Sequence, residues 1–155
     1  MSFLIGRQHV ITALQPDADR YNADPATDIF NMENYAAITF ILMEGVGGTG
    51  TATITMEECT DNAGAGATAI AFNVRAMPTI DTWGALTAVA AAGYLTIAGA
   101  NKMVAFELKA EELSDGSPFV RLQVTETVDS PVDAAIVAIL HGARYPQDIP
   151  VTAIS

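Results

Sequence analysis

The sequence has few basic residues. Its 155 residues include 7 Lys and Arg against 18 Asp and Glu, for a formal net charge of −11 at pH 7. A surface that binds duplex nucleic acid needs clustered cations to neutralise phosphates, and here the cations are scattered singly. We therefore predict no direct binding of DNA or RNA. An acidic surface suits a protein that stays soluble at high copy number, although many ordinary soluble proteins are also acidic.

Cysteine is scarcer still, because Cys59 is the single one. No intrachain disulfide can form, and synthesis in a reducing cytoplasm fits this composition. The first residues lack a basic segment followed by a long apolar stretch, so no secretory signal is predicted. Cys59 follows Glu57 and Glu58, whose charge raises a thiol's pKa and lowers its reactivity. A residue at a strand end is favoured over a catalytic nucleophile.

Metal-ligand patterns are also lacking. The two histidines, His9 and His141, have no spacing that indicates zinc, and no cofactor is predicted. Four aspartates near the start of the chain could offer oxygen ligands to calcium, but no loop motif with its bidentate glutamate accompanies them. A solvated acidic segment is the favoured interpretation. These aspartates are Asp17, Asp19, Asp24 and Asp28.

Strongly apolar stretches are rare, although 50% of the residues are hydrophobic. No charged residue lies between Asp81 and Lys102, which is about the length of a membrane span. This stretch is rich in Ala, Gly and Thr and is too weakly hydrophobic to cross a bilayer. We therefore predict no membrane segment.

What the sequence does contain is alternation of apolar and polar residues, which is typical of strands. Ile38, Phe40 and Leu42 share one predicted face, and the glycine-rich residues 44–50 separate them from a second alternating run. Two strands joined by such a loop predict a hairpin. A single helical turn is predicted at 110–113. The predicted strands are 35–43, 51–58, 69–75, 83–89, 94–97, 102–109, 119–127 and 134–140.

About eight strands separated by turn residues, with no long amphipathic helix, predict an all-β fold. We expect an antiparallel β-sandwich or a jelly-roll-like domain over residues 31–155. Residues 1–30 contain Pro16 and Pro25 and little periodicity. They predict an extended N-terminal arm or long loop, with one short strand at 8–14.

Catalytic motifs give weak signals. Gly45, Gly47 and Gly50 match a dinucleotide-binding spacing, but strand sequence follows where that motif needs a helix. The serines show no nucleophile-elbow motif, and the adjacent Glu111 and Glu112 diverge rather than pair across a cleft. We expect no enzymatic activity and assign no catalytic residue.

Aromatic residues are few, at 7% of the chain. Aromatic rings stack on sugars, so a glycan-binding face stays an alternative, but scattered rings in a β protein more often lie in the core or at an interface. The rings considered for this face are Tyr21, Tyr35, Trp83, Tyr94 and Tyr145.

The order of several motifs resembles a group of small β-rich virion structural proteins of tailed phages and prophages that are encoded among the head genes. The resemblance covers about residues 20 to 147, and its motifs are structural rather than catalytic. The runs that carry it are 28–35 (Asp-Ile-Phe-Asn-Met-Glu-Asn-Tyr), 48–55, 64–72, 100–103, 106–108, 112–113, 119–122 and 143–145.

This resemblance implies a virion structural role, with capsid decoration or cement as the first choice and a neck, tail or fibre component as an alternative. A glycan- or receptor-binding β-sandwich is a further alternative. The expected partners are the major capsid protein and other copies of the chain, in a homo-oligomer that we predict to be a trimer. Residues 1–30 are expected to contact a neighbouring subunit or the shell. The expected location is the virion, after synthesis in the host cytoplasm.

Overall fold

The computed structural model describes residues 8–145, 153 and 154. Within them the fold is all-β, and two antiparallel sheets pack as a sandwich, which confirms the predicted fold class. The strands are β1 (His9–Asp17), β2 (Phe30–Asn31), β3 (Ala37–Gly47), β4 (Thr51–Cys59), β5 (Thr68–Ile70), β6 (Phe72–Ala76), β7 (Thr87–Val89), β8 (Tyr94–Leu95), β9 (Met103–Lys109), β10 (Phe119–Val128) and β11 (Val132–His141).

The two sheets differ in size and order. The six-stranded sheet has the order β1-β11-β3-β9-β6-β7. The five-stranded sheet has the order β2-β10-β4-β5, and β8 also pairs with β4. A single 3-10 turn at Ala110–Glu112 follows β9, as predicted, and its Glu112 carboxylate accepts a hydrogen bond from the backbone N–H of Lys109 at 2.8 Å.

The core lies between the sheets and follows the predicted alternation. Ile38, Phe40 and Leu42 of β3 are buried, and so are the alternate residues of the facing β4 and β10. Phe106 packs edge-on against Phe72, with ring centroids 6.0 Å apart. Alternate side chains of β3, β4, β10 and β11 therefore form most of one continuous apolar layer.

The predicted hairpin between β3 and β4 is wrong. β3 pairs with β11 and β9 in the six-stranded sheet, whereas β4 pairs with β10 and β5 in the other sheet. The chain crosses between sheets at Gly48–Gly50 instead of reversing within one. Gly50 permits the crossing because a Cβ there would collide with the Ser130 carbonyl and lie 2.6 Å from a Val132 methyl. Both strands alternate in the same way, so their pattern does not tell which partner each one pairs with.

The predicted strand at 69–75 is two strands. β5 belongs to the five-stranded sheet and β6 to the six-stranded sheet, with Ala71 between them. The weaker predictions at 83–89 and 94–97 correspond to the short strands β7 and β8, which also lie in different sheets. The side of the sandwich formed by residues 68–95 is therefore built from short strands that pass from one sheet to the other.

Residues 8–30 lie on the sandwich. The short strand predicted at 8–14 is the first part of β1, which pairs with β11 at the edge of the six-stranded sheet. The chain then crosses to the other sheet and runs along the edge of β10, where the backbone N–H of Thr27 donates to the Leu122 carbonyl at 2.9 Å. This part of the predicted arm covers two sheet edges of its own domain. Residues 1–7 lie outside the described residues.

No helix in the part of the chain that the structure describes has the length and apolar character needed to cross a membrane.

Candidate functional site

The two histidines lie on opposite faces of the six-stranded sheet. His9 pairs with the buried Leu140, so it points toward the core side, where its Nδ1 lies 3.1 Å from the hydroxyl of Tyr35. His141 pairs with Ala37 and points outward, with its Nε2 2.8 Å from Oγ1 of Thr39. Burial lowers the pKa of His141, and nearby Glu107 opposes this change. The two imidazoles therefore do not converge on one ligand.

Two of the four early aspartates, Asp17 and Asp24, make polar contacts within the chain. Asp17 forms a 2.7 Å ion pair with Arg20 and also accepts a hydrogen bond from the backbone N–H of Asp19. Asp24 accepts a 2.7 Å hydrogen bond from the backbone N–H of Glu126. Within the residues the structure describes, no three or more His, Cys, Asp and Glu side chains form a group that could hold a metal.

Cys59 is the last residue of β4, which confirms its predicted place at a strand end. Its side chain is fully buried. Burial raises the pKa of its thiol, Arg121 opposes that change, and Glu57, Asp61 and Glu58 add to it. A buried thiol with a raised pKa is a poor nucleophile.

The aromatic rings considered for a glycan face are not brought together on one surface. Tyr21 and Tyr35 are buried, and Tyr94 packs edge-on against Phe106 at 5.8 Å. Trp83 and Tyr145 are exposed. Stacking on a sugar needs accessible rings, and this set supplies them at two separate places in the chain.

A polar cluster that the sequence analysis missed lies in the interior. The hydroxyl of Tyr21 donates a hydrogen bond to Oε1 of Glu44, and both side chains are buried. Thr96 is buried beside Tyr21, and its hydroxyl accepts a 3.0 Å hydrogen bond from the backbone N–H of Ala52. The alternation of β3 could have identified Glu44 as a buried residue, because it lies two positions after Leu42 in the inward series of Ile38, Phe40 and Leu42. The glycines that follow it predict a turn instead.

Burial is the main reason that the pKa values of Glu44 and Tyr21 are raised. Burial raises the pKa of the Glu44 carboxyl, while the hydrogen bond from Tyr21 and the charge of Lys102 partly oppose the change. Burial and then Glu44 raise the pKa of Tyr21. The cluster is closed to solvent, since Glu44 is 6% exposed and Tyr21 is 0% exposed. It connects the segment after β1 to β3 and β4.

The outer faces of the two sheets differ in chemistry. Residues paired across an antiparallel sheet share a face, so the strand registers define each surface. On the five-stranded sheet the outward residues of β4 and β10 are polar, and an ion pair of 2.8 Å joins Arg121 to Glu57. On β3 and β11 of the six-stranded sheet they are mostly apolar, whereas β9 and β6 place Glu107, Lys109, Asn73 and Arg75 on the same side. We call this surface the apolar outer face; its members are Val10, Ile41, Met43, Met103, Ala105, Ala135, Val137 and Ile139.

Residues 78–98, which we call the apolar segment, also expose apolar side chains. Asp81 is its one charged residue, and most of its side chains are exposed. Ile80 is 91% exposed and Ile97 is 60% exposed. The segment joins β6, β7 and β8 and so runs along the side of the sandwich where the chain passes between sheets. Its exposed large apolar residues are Ile80, Trp83, Leu86, Leu95 and Ile97.

No protein-family model and no curated protein matches the chain. Among solved structures, the chain is similar to the crystal structure of the SPBc2 prophage-derived protein YomS, with 14% sequence identity and a TM-score of 0.48. The similarity covers 86% of this chain and 91% of that chain. A likeness at this level assigns neither a family nor a function to the chain.

Proposed function

We propose that this protein is a structural component of a tailed-phage virion that binds the major capsid protein on the assembled shell, as a decoration or cement protein. The motifs between residues 28 and 145 support the phage origin by their resemblance to small head-gene proteins. The observation that carries a binding role is the exposed apolar segment, residues 78–98.

The apolar segment is unusual for a chain of this charge. With a net charge of −11, most of the surface is expected to be acidic, yet residues 82–101 contain no charged side chain. Exposed large apolar side chains such as Ile80 and Trp83 mark surfaces that another protein covers. Burial of a Leu, Ile or Trp side chain contributes about 1.5–3 kcal/mol, so a few such residues can hold a partner.

The buried polar cluster has a structural role. Tyr21 and Glu44, which are ionisable neighbours, are buried in the core, where burial raises both pKa values. Catalysis at such a pair would need access for a substrate, whereas stabilisation of the sandwich needs none.

The proposal is tested by quantitative mass spectrometry of purified virions from the phage that encodes this chain. A copy number comparable to that of the major capsid protein is expected for a decoration protein. A handful of copies would replace this role with a neck, tail or fibre position. Absence from virions would overturn the structural role and leave glycan binding as the alternative.

The contact surface is tested by adding purified variants to capsids that lack the protein. We expect Ile80→Asp to lower the occupancy of the shell, because it places a charge in the apolar segment. Val46→Asp is the matched control, since Val46 is 73% exposed and lies in β3, outside that segment. Equal occupancy for both variants would show that the shell is bound elsewhere.

The predicted contact of the N-terminal arm with the shell or a neighbouring subunit is tested by a short deletion. Residues 9–17 are an edge strand, so a deletion that reaches them would damage the sheet itself. Deletion of residues 2–7 leaves β1 whole. If the arm contacts the shell or a neighbouring subunit, this deletion lowers capsid occupancy while thermal stability stays unchanged.

A further inference from the structure

We infer that the apolar outer face of the six-stranded sheet packs against other copies of this chain. This inference goes beyond the proposed function, because it assigns a second surface and a second partner. The strand register defines which residues share this face, since residues paired on neighbouring strands lie side by side and point to the same side of the sheet. One row across the sheet consists of Thr12, Val137, Ile41, Ala105 and Arg75, and the row beside it of Val10, Ile139, Thr39, Glu107 and Asn73.

The other sheet of the same molecule provides the comparison. An antiparallel sheet with one face in water carries polar residues on that face, and the five-stranded sheet does so. Its outward residues on β4 and β10 are Thr53, Thr55, Glu57, Arg121, Gln123 and Thr125. At the equivalent positions of β3 and β11 the six-stranded sheet has Ile41, Val137 and Ile139. The two surfaces therefore differ in composition although both belong to one fold.

Charge favours a second copy as the occupant. Every copy carries a net charge of −11, so contact through an acidic surface is opposed by repulsion. The outward positions of β3 and β11 from Ala37 to Met43 and from Ala135 to His141 contain no Asp, Glu, Lys or Arg. Two acidic chains can therefore meet on this part of the face at low electrostatic cost.

The rim of the face carries both signs of charge. Glu107 lies opposite Thr39, and Arg75 lies opposite Ala105 in the next row. Lys109 is paired with Ala37 on the same side of the sheet. When symmetry brings the same surface of several copies together, each acidic rim residue can meet a cation of a neighbour. A symmetric assembly about one axis therefore satisfies both the apolar centre and the charged rim.

The area is sufficient for a stable contact. Five strands about 4.8 Å apart, with about seven residues of 3.4 Å each, span roughly 600 Å² of sheet. Stable interfaces bury about 600–1,000 Å² on each partner. Among the members of the face, Met43 is 39% exposed and Ala105 is 6% exposed, so only part of this sheet area is apolar surface in contact with water.

The experiment measures the mass of the purified chain in solution by light scattering coupled to size-exclusion chromatography. The wild type is expected to have a multiple of the monomer mass of 16.2 kDa. Val137→Glu places a charge at the centre of the face and is expected to give the monomer mass. Thr125→Glu is the matched control, because it introduces the same charge at an exposed position of the other sheet and should leave the oligomer intact.

A more conservative substitution at the same position tests the inference if Val137→Glu fails to fold. Val137→Thr preserves the β-branched shape and exchanges a methyl for a hydroxyl, so we expect a folded protein whose oligomer dissociates at tenfold or higher concentration than the wild type. A monomeric wild type at high micromolar concentration would overturn the inference, and so would an oligomer that neither variant weakens. The free protein is measured without virions, so either result leaves the copy-number test of the proposed function standing.

Discussion

The hydroxyl of Tyr21 donates a hydrogen bond to Oε1 of Glu44 in the interior of the sandwich, 23 residues away along the chain. Tyr21 follows β1, at the edge of the six-stranded sheet, and Glu44 belongs to β3, near its centre. The contact therefore ties the segment that crosses between the sheets to the core. Oε2 of Glu44 has no hydrogen-bond partner among the described residues, so Tyr21 is the principal donor to this carboxyl group.

Loss of that donor should destabilise the fold. Tyr21→Phe keeps the ring but leaves the Glu44 carboxyl without its hydrogen bond, and an unsatisfied buried polar group costs about 1–3 kcal/mol. We expect the free energy of unfolding to fall by this amount in urea denaturation. In the Glu44→Gln background the same substitution should cost less, because a neutral amide is less costly to leave unpaired. An equal cost in both backgrounds would mean that the two side chains are not coupled.

The raised pKa of Glu44 predicts a pH dependence of stability. The folded state holds the proton more tightly than the unfolded state, whose carboxyl has a pKa near the ordinary 4.5. The stabilising contribution is fully present below that value and is lost as the pH rises through the folded pKa. Relative to Glu44→Gln, the wild type should therefore become less stable as the pH increases from 4.5. A stability difference that stays constant with pH in chemical denaturation would contradict this expectation.

His141 predicts the opposite trend. Burial lowers its pKa below the ordinary 6.5, so the unfolded state binds the proton more tightly. The contribution of His141 to stability is present above pH 6.5 and is lost as the pH falls through the folded pKa. Glu107 is the charged group that opposes the shift.

The check is a comparison of His141→Asn with the wild type. The variant should lose less stability than the wild type as the pH is lowered from 7 toward the folded pKa. Thr39→Val removes the hydroxyl 2.8 Å from the imidazole without removing the titrating group, and serves as the control. Parallel stability curves for wild type and His141→Asn would show that this imidazole does not contribute.

The crossing at Gly50 should tolerate no side chain. In Gly50→Ala the new Cβ would lie 2.6 Å from a Val132 methyl and against the Ser130 carbonyl, so backbone must move. We expect a loss of about 1–3 kcal/mol, the usual cost of overpacking. Gly48→Ala is the matched control, because its Cβ would meet only the Ser130 hydroxyl at 3.3 Å. Melting temperatures of the two variants measure the difference, and equal values would contradict the tight crossing.

The local structure of the strands could be predicted from the sequence. The inward positions of β3, β4, β9 and β10 follow directly from alternation, because side chains on a strand point to opposite faces in turn. The helical turn after β9 and the place of Cys59 at a strand end were also predictable from local composition. Glu44 was missed because the four glycines of residues 45–50 indicate a turn more strongly than its place in the inward series indicates the core.

Pairing was not predictable in the same way. The apolar residues of β3 and β4 would fit a hairpin as well as two facing sheets, and the glycine-rich link permits both. The observed choice depends on β10 and β11, which lie far along the chain and supply the partners of β4 and β3. The change of sheet at Ala71, between β5 and β6, is not visible in the sequence for the same reason, since one run of strand-forming residues can supply strands to two sheets.

The sequence by itself determined the acidic charge, the strand-forming segments and the side of each strand that turns inward, because these depend on composition and on a period of two residues. Only the tertiary structure decided which strands share a sheet, where Tyr21 meets Glu44, and that one sheet has an apolar outer face while the other is polar. Those features arise from contacts between residues distant in sequence, and the free energy of such contacts depends on the whole arrangement rather than on any local pattern.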